Sequence, residues 1–579
     1  MSSGLRAFPS TVHGIPLLSL LLDISAPAWS PGMSFIRLAI VSLFALVAVL
    51  PARAQSPESY RGMLTARVRA DKLGPPQHLK DYVQNGKLSL GLRDAILLTL
   101  ENSSNVQIEE TQIEAQKFNL LGQFQPFDPI LQSSLNVNRY SYPTYSQLQG
   151  VGVSGNPTLN SLSQTGLVSY TQTFTPGTNI AATVSSNKFS SNSSYNYFNP
   201  YFSSTLNFTF TQPLLRGAGR FANTAQIKIA RRSLEQSRSN FEAEVNDAIL
   251  NVVGQYWNAV EARGALDVEQ KSLKLAEASY DRDKRSLELG ALPPLDIYRS
   301  QSEVAARKVE VIQAAYALTQ AEEALRLAIG ADRDPQFNAL QFNLTEKPQT
   351  DGELEIIDAE TALTQALSRR PELDAVKDSL ANDETSIRLA HNQLEPNLSL
   401  QGFYQSSGLG GNEYNLLTGA FLAPGGFGSS MSQLFGFGYP GYGGTLSLTL
   451  PIRNRGGQAT LGSALVSRTH DLYAGGQIRE QITREVHDAV HQLDEARMAL
   501  AAGKASFELA QKTLASEQRK YELGAETNFF VLDAQTRLAQ AELILLQTQI
   551  NYRIALTAVG HSTGDLLASY RVQIAELSR

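Results

Sequence analysis

The apolar positions of this chain follow two periods, and they change places along it. From Ala225 to Leu287, Ile229, Phe241, Val245, Ile249, Val253, Trp257 and Val260 fall mostly four apart, the stripe of an amphipathic helix. Proline is absent from Leu214 to Leu292. A second proline-free run extends from about Gln458 to Leu523. At 1.5 Å per residue each is a helix of roughly 100 Å. Shorter helices are expected at about 88–123, 294–329, 360–393 and 527–559. Between them the period drops to two. Thr205–Phe210 and Thr445–Leu450 alternate strictly, Leu131–Asn138 and Leu398–Tyr404 less cleanly. Thr, Ser, Asn and Gln take one face, and Leu, Phe and Val the other. Both a half-buried soluble strand and a lipid-facing barrel strand have this texture.

The pattern repeats. Arg285-Ser286-Leu287-Glu288-Leu289-Gly290-Ala291 returns as Arg519-Lys520-Tyr521-Glu522-Leu523-Gly524-Ala525. Leu100–Pro129 also aligns without gaps on Leu367–Pro396. The chain is a tandem duplication, and each heptapeptide marks the tip of a helical hairpin, with the glycine where one helix ends. The first copy is longer between its flanking prolines. The excess includes Leu167–Phe174 and Thr178–Ser186 around Thr175-Pro176-Gly177, an inserted hairpin that raises its strand count from two to four. The Tyr-, Ser-, Asn- and Gly-rich stretches 141–164, 186–203 and 407–444 read as long surface loops.

Composition narrows the class. The 579 residues carry a net charge of −6 and 18% charged residues, which argues against nucleic acid. There is no cysteine, so disulfides, thiolate metal sites and Cys nucleophiles are excluded. Leu38–Leu50 is a 13-residue apolar run after Arg37, and Ala52-Arg53-Ala54 supplies small residues where a signal peptidase reads. Cleavage is expected after Ala54, with Met33 the better start. No apolar run of spanning length follows. His487 and His491 sit four apart on a helix, as zinc ligands do in some metalloproteases, but Asp488 replaces the glutamate and no third ligand is evident. They read as a polar helix flank. No cofactor site and no catalytic set is recognisable, so the chain is not expected to be an enzyme.

Five stretches together resemble the TolC-like outer-membrane efflux protein family: Arg369-Arg370-Pro371-Glu372-Leu373; Pro396-Asn397-Leu398-Ser399-Leu400; Gln212-Pro213-Leu214-Leu215-Arg216-Gly217; Tyr521-Glu522-Leu523-Gly524; and Val531-Leu532-Asp533-Ala534-Gln535 with Leu538 and Ala541-Glu542. The likeness spans about 88–560. It implies an α+β membrane protein: a tandem-duplicated, long-helix periplasmic α-barrel continued by a transmembrane β-barrel shared between three chains. The expected organisation is a signal peptide (1–54), an N-terminal periplasmic segment (55–87), repeat 1 (88–330, strands within 129–213), an equatorial linker (331–358), repeat 2 (359–564, strands within 396–451) and a tail (565–579). The expected function is the exit duct of a tripartite efflux pump for small molecules. A duct for type I protein secretion is the alternative, and a non-channel periplasmic coiled-coil scaffold a remote one. The implied partners are two further copies, a periplasmic adaptor (membrane fusion) protein, an inner-membrane transporter and outer-membrane lipid. The implied place is the bacterial outer membrane, extending into the periplasm.

The resemblance also assigns residues. Tyr521 and Asp296 match positions whose cross-helix contacts hold the periplasmic end shut. Asp533 matches one of two acidic constriction rings. Phe530 replaces the second, and Glu526 stands where members often carry Arg. The tips Arg285, Glu288, Leu289, Gly290, Ala291, Arg519, Glu522, Leu523, Gly524 and Ala525 would meet the adaptor.

Overall fold

The computed structural model describes residues 78–572, apart from 152–157, 290–294, 296, 339, 349–353 and 416. The expected signal peptide and most of the N-terminal segment lie outside the described residues, as do Gly290, Ala291 and Asp296. In chain order the elements are β1 (Val83–Gln84), β2 (Lys87–Leu90), α1 (Leu92–Asn102), α2 (Ser104–Gly122), β3 (Ile130–Pro143), β4 (Thr158–Thr173), β5 (Asn179–Ser191), β6 (Phe198–Pro213), α3 (Gly219–Glu288) and α4 (Ile297–Ala328). There follow α5 (Pro335–Asn338), β7 (Gln341–Leu344), α6 (Ala359–Arg369), α7 (Pro371–Leu394), β8 (Asn397–Tyr414), β9 (Phe421–Ala423), α8 (Phe427–Gly436), β10 (Tyr439–Thr449), α9 (Arg455–Glu522), α10 (Asn528–Ser562) and α11 (Leu566–Ser569).

The long helices are as long as the apolar stripes demand: α3 has 70 residues and α9 has 68, each about 100 Å. Each doubles back along a shorter helix, α3 on α4 and α9 on α10. Among the described residues no helix is long and apolar enough to cross a membrane.

Two sequence expectations need correcting. The stretches 88–123 and 360–393 are not single helices. Each is broken in two, at Ser103 (φ −62°, ψ 131°) and at Arg370 (φ −66°, ψ 122°). These residues are equivalent in the repeat. Pro371 explains the second break, because its ring drives the preceding residue out of the helical region. Ser103 adopts the same geometry without a proline, so packing rather than local propensity bends the first copy.

Six long antiparallel strands form one sheet in the order β10-β8-β6-β5-β4-β3, with short β9 beside β8. The inserted hairpin belongs to this sheet: β4 and β5 are joined by a turn in which Gly177 (φ +90°) donates to the Phe174 carbonyl at 2.8 Å. The first copy therefore contributes four long strands and the second two. Register sorts the side chains cleanly. One row across all six strands reads Leu131, Tyr170, Ala182, Phe208, Tyr404, Tyr442; the neighbouring row on the other face reads Gln132, Ser169, Thr183, Asn207, Gln405, Gly441. Among the described residues the two outermost strands, β3 and β10, have no partner on their outer edges. Nearly all their residues are exposed, including Leu135, Tyr442 and Leu446.

The helical part holds two apolar clusters, one per copy. The first gathers Ile96 and Leu98 with Phe241, Ile249, Tyr256 and Leu325. The second gathers Ile482, Val486, Val490 and Leu493 with Tyr552 and Val559. Each has a fully buried tyrosine whose hydroxyl accepts a backbone N–H of the 331–358 region: Glu346 to Tyr256 (3.2 Å) and Glu355 to Tyr552 (3.0 Å). That region also supplies β7, which pairs in parallel with β2. The described parts of this region thus touch both clusters, through Glu346 and β7 on one and Glu355 on the other.

Candidate functional site: the helix-tip end

At the second tip, α9 ends in a Schellman turn. Gly524 adopts φ +71°, its N–H reaches the Tyr521 carbonyl at 2.9 Å, and the Ala525 N–H reaches Lys520 at 2.9 Å. No atom lies within 4 Å of where a Cβ would stand on Gly524, so backbone conformation alone calls for glycine there. The leucines before both tip glycines face solvent, Leu289 at 84% and Leu523 at 70% exposure. Arg285, Glu288, Arg519, Glu522 and Ala525 are exposed beside them. Arg519 pairs with Glu522 at 3.4 Å.

The other residues singled out in the sequence fall in this region with contacts of their own. The Tyr521 ring, half-buried, lies under the Arg282 guanidinium (5.9 Å), which ties α9 to α3. Glu526 faces Lys520 at 3.8 Å, and Lys520 also reaches Glu517 at 2.7 Å. These two acids hold its ammonium in the charged form. Phe530 packs edge-on against Phe529, itself covered by Arg299. Asp533 accepts from Arg537, one turn along α10, at 2.8 Å. The Asp533 carboxylate thus has a cationic neighbour on its own helix. His487 and His491 stack with centroids 6.5 Å apart, and no cluster of three metal-ligating side chains exists among the described residues.

Two polar knots escaped the sequence reading. Asp283 of α3 is buried. It accepts from the Ser300 hydroxyl of α4 and from Asn528 Nδ2 of α10 (3.1 Å), and Asn528 also reaches Ser279. Three helices thus meet on one carboxylate. Its repeat equivalent, Glu517, holds a buried carboxylate oxygen without a hydrogen-bond partner. Further along, the buried Arg307 of α4 donates to Glu303 (2.8 Å), Glu310 (2.8 Å) and the Thr536 hydroxyl of α10 (2.6 Å). Glu269 of α3 lies beside this knot. Burial, followed by the charge of Glu310, pushes its carboxyl above the usual range, against the pull of Arg307. The available signal was positional. Asp283 falls on the inward stripe with Ala276 and Ser279, where an acid must be paired.

The match to known proteins decides what these elements make. The family model "Outer membrane efflux protein" matches residues 171–331 and 362–565, most of the chain and both copies. The chain belongs to the outer membrane efflux protein family. It is 21% identical over 321 residues to the toluene efflux pump outer membrane protein TtgC of Pseudomonas putida, covering 55% of this chain and 60% of that protein. It is 21% identical over 344 residues to the outer membrane protein TolC of Vibrio cholerae, covering 59% and 73%. The chain thus matches less than two thirds of TtgC. The CmeC outer membrane channel of Campylobacter jejuni shares its fold at a TM-score of 0.57 and 15% identity, with 89% of this chain and 94% of that one covered. This efflux-family protein therefore resides in the outer membrane and extends into the periplasm. Its fold is that of the outer-membrane channels, and its family is one of channels rather than enzymes.

Proposed function

We propose that three copies of this chain form the exit duct of a tripartite pump that expels small molecules, with the sheet closing into one shared barrel. The observation that carries this is the pair of open edges. Lipid supplies no hydrogen bonds to unpaired backbone, so a membrane sheet must close on itself. The smallest membrane barrels need about eight strands. Six long strands with β3 and β10 free at opposite edges make about eighteen when three chains join edge to edge. The apolar row then faces lipid and the Gln132–Gln405 row faces the water-filled bore. Helices of about 100 Å exceed the ~30 Å hydrocarbon core and stand in the periplasm. The two tips per chain, six in the assembly, are the docking sites for an adaptor joined to an inner-membrane transporter. The cargo class rests on the toluene pump relative. Analytical ultracentrifugation in detergent should give a trimer, and planar bilayers should show ion conductance. A stable, conducting monomer would overturn the architecture.

A further inference from the structure

Part of the connection between β8 and β10 does not project into solvent. Its helix α8 folds back onto the apolar face of the sheet, where it buries Ser430 and Leu434. The fit is built backbone to backbone. A Cβ on Gly408 would stand 2.0 Å from the Ser430 carbonyl oxygen, and one on Gly410 would stand 2.3 Å from that of Gly426. The Ser430 hydroxyl donates to Ser204 Oγ at 2.7 Å, and Ser406 donates to the Leu434 carbonyl at 2.7 Å.

The helix lies where the face loses its large side chains. The row running Leu131 to Tyr442 is apolar, whereas two rows outward only β3 keeps a large side chain, Leu135, and the inner strands offer Gly166, Ser186, Ser204 and Gly408. Phe427, Met431 and Phe435, four apart on α8, restore what that row lacks. Between α8 and strands β3 to β5 runs a groove of about 450 Å³. Leu135, Val168, Val184, Phe202, Phe427 and Met431 line it, with Lys188 beside them. Charge completes the pattern. The six long strands carry only Arg139, Lys188 and Glu413, all toward the end away from the helices. Register puts both cations on the apolar face. No Asp, Glu, Lys or Arg occurs from 414 to 452.

We propose that this groove binds an acyl chain of an anionic, phosphate-bearing outer-membrane lipid, with Lys188 and Arg139 meeting its headgroup. The site continues the lipid-facing band and rests on the barrel reading above. Cations at the outer rim of an apolar wall match an anionic headgroup above an apolar tail.

Full-length protein carrying Met431→Trp is reconstituted in phosphatidylcholine vesicles. Dibrominated phosphatidylcholine or dibrominated phosphatidylglycerol is then titrated in, with wild type as the blank for the native Trp257. The brominated phosphatidylglycerol should quench at about fivefold lower mole fraction, and Lys188→Gln should shrink that preference. Equal quenching by both lipids, or none by either, overturns the site. Phe427→Trp repeats the measurement should Met431→Trp fail to assemble. Phe208→Trp, on the bare part of the same face, separates the two readings. If both lipids quench it while position 431 stays bright, only the groove falls. If Phe208→Trp stays bright as well, the lipid-facing assignment falls with it.

Discussion

Several residues along the helical hairpins sit in settings with a measurable consequence. Glu269 is the clearest. Its carboxyl is raised by burial and by Glu310, so the folded protein binds that proton more tightly than the unfolded chain. The favourable contribution is fully present below the ordinary glutamate value of 4.5 and is lost as pH rises through the raised pKa. Glu269→Gln should therefore raise the thermal midpoint at neutral pH and leave it unchanged in acid, as followed by circular dichroism against pH. An equal effect at all pH values would remove the proton from the account. At Gly524 the argument is conformational. Forcing a side chain into φ +71° costs about 1 kcal/mol, so Gly524→Ala should speed amide exchange over 520–526 with the remainder of α9 unaffected. On the docking proposal, Gly524→Val and Gly290→Val should also weaken adaptor crosslinking and efflux. The Asp533–Arg537 pair bears on selectivity. If Asp533 lines the constriction, a trivalent cation on the periplasmic side should block the channel, Asp533→Ala should relieve the block, and Arg537→Ala should deepen it by unmasking the carboxylate. Block that ignores both substitutions moves the constriction elsewhere, with Glu526 the next position to vary.

Among the elements, Asp283 joins the two hairpins: its carboxylate accepts from Asn528 of α10 as well as from Ser300 of its own hairpin. Removing a buried acceptor strands its donors at about 1–3 kcal/mol. Asp283→Ala should loosen α10 from α3 and α4 and raise open probability in single-channel recordings, whereas Asp283→Asn, which keeps one acceptor oxygen, should do so less. Unchanged gating in both would make the knot structural only. The elements also show what could be read in advance and what could not. The long helices, the tips and the inserted hairpin were legible because each has a period, an echo or a glycine of fixed meaning. The break at Arg370 was marked by Pro371, but its counterpart at Ser103 carries no local sign and is set by packing. Asp283 was hidden among many helical acids, since only the helix pairing shows which face turns inward. Helix α8 was hidden for the opposite reason. A run rich in Gly, Ser and Phe reads as a loop, and its helical turns become favourable only against the small residues of β6 and β8.

At the scale of the whole molecule, duplication gives each chain two hairpins of similar length but unequal shares of the one large sheet, four long strands against two. The proposed trimer would show twelve helices across its tip half, α3, α4, α9 and α10 from each chain, and about eighteen strands in the membrane. An adaptor would meet two slightly different surfaces in alternation, three of each. Crosslinking from Leu289 and from Leu523 should accordingly saturate at different adaptor concentrations, whereas identical curves would mean that the two tips are read alike.

In the proposed trimer the two extra strands, β4 and β5, also decide where flow is limited. Ducts in series behave as resistors in series, and the narrowest section takes most of the voltage drop. Eighteen strands at about 4.8 Å spacing and about 40° tilt enclose a cylinder roughly 36 Å across, close to the roughly 38 Å of twelve helices packed about 10 Å apart. The membrane section is then no throttle. Current through the resting protein should be indifferent to changes in the outer loops and should answer only to the tips.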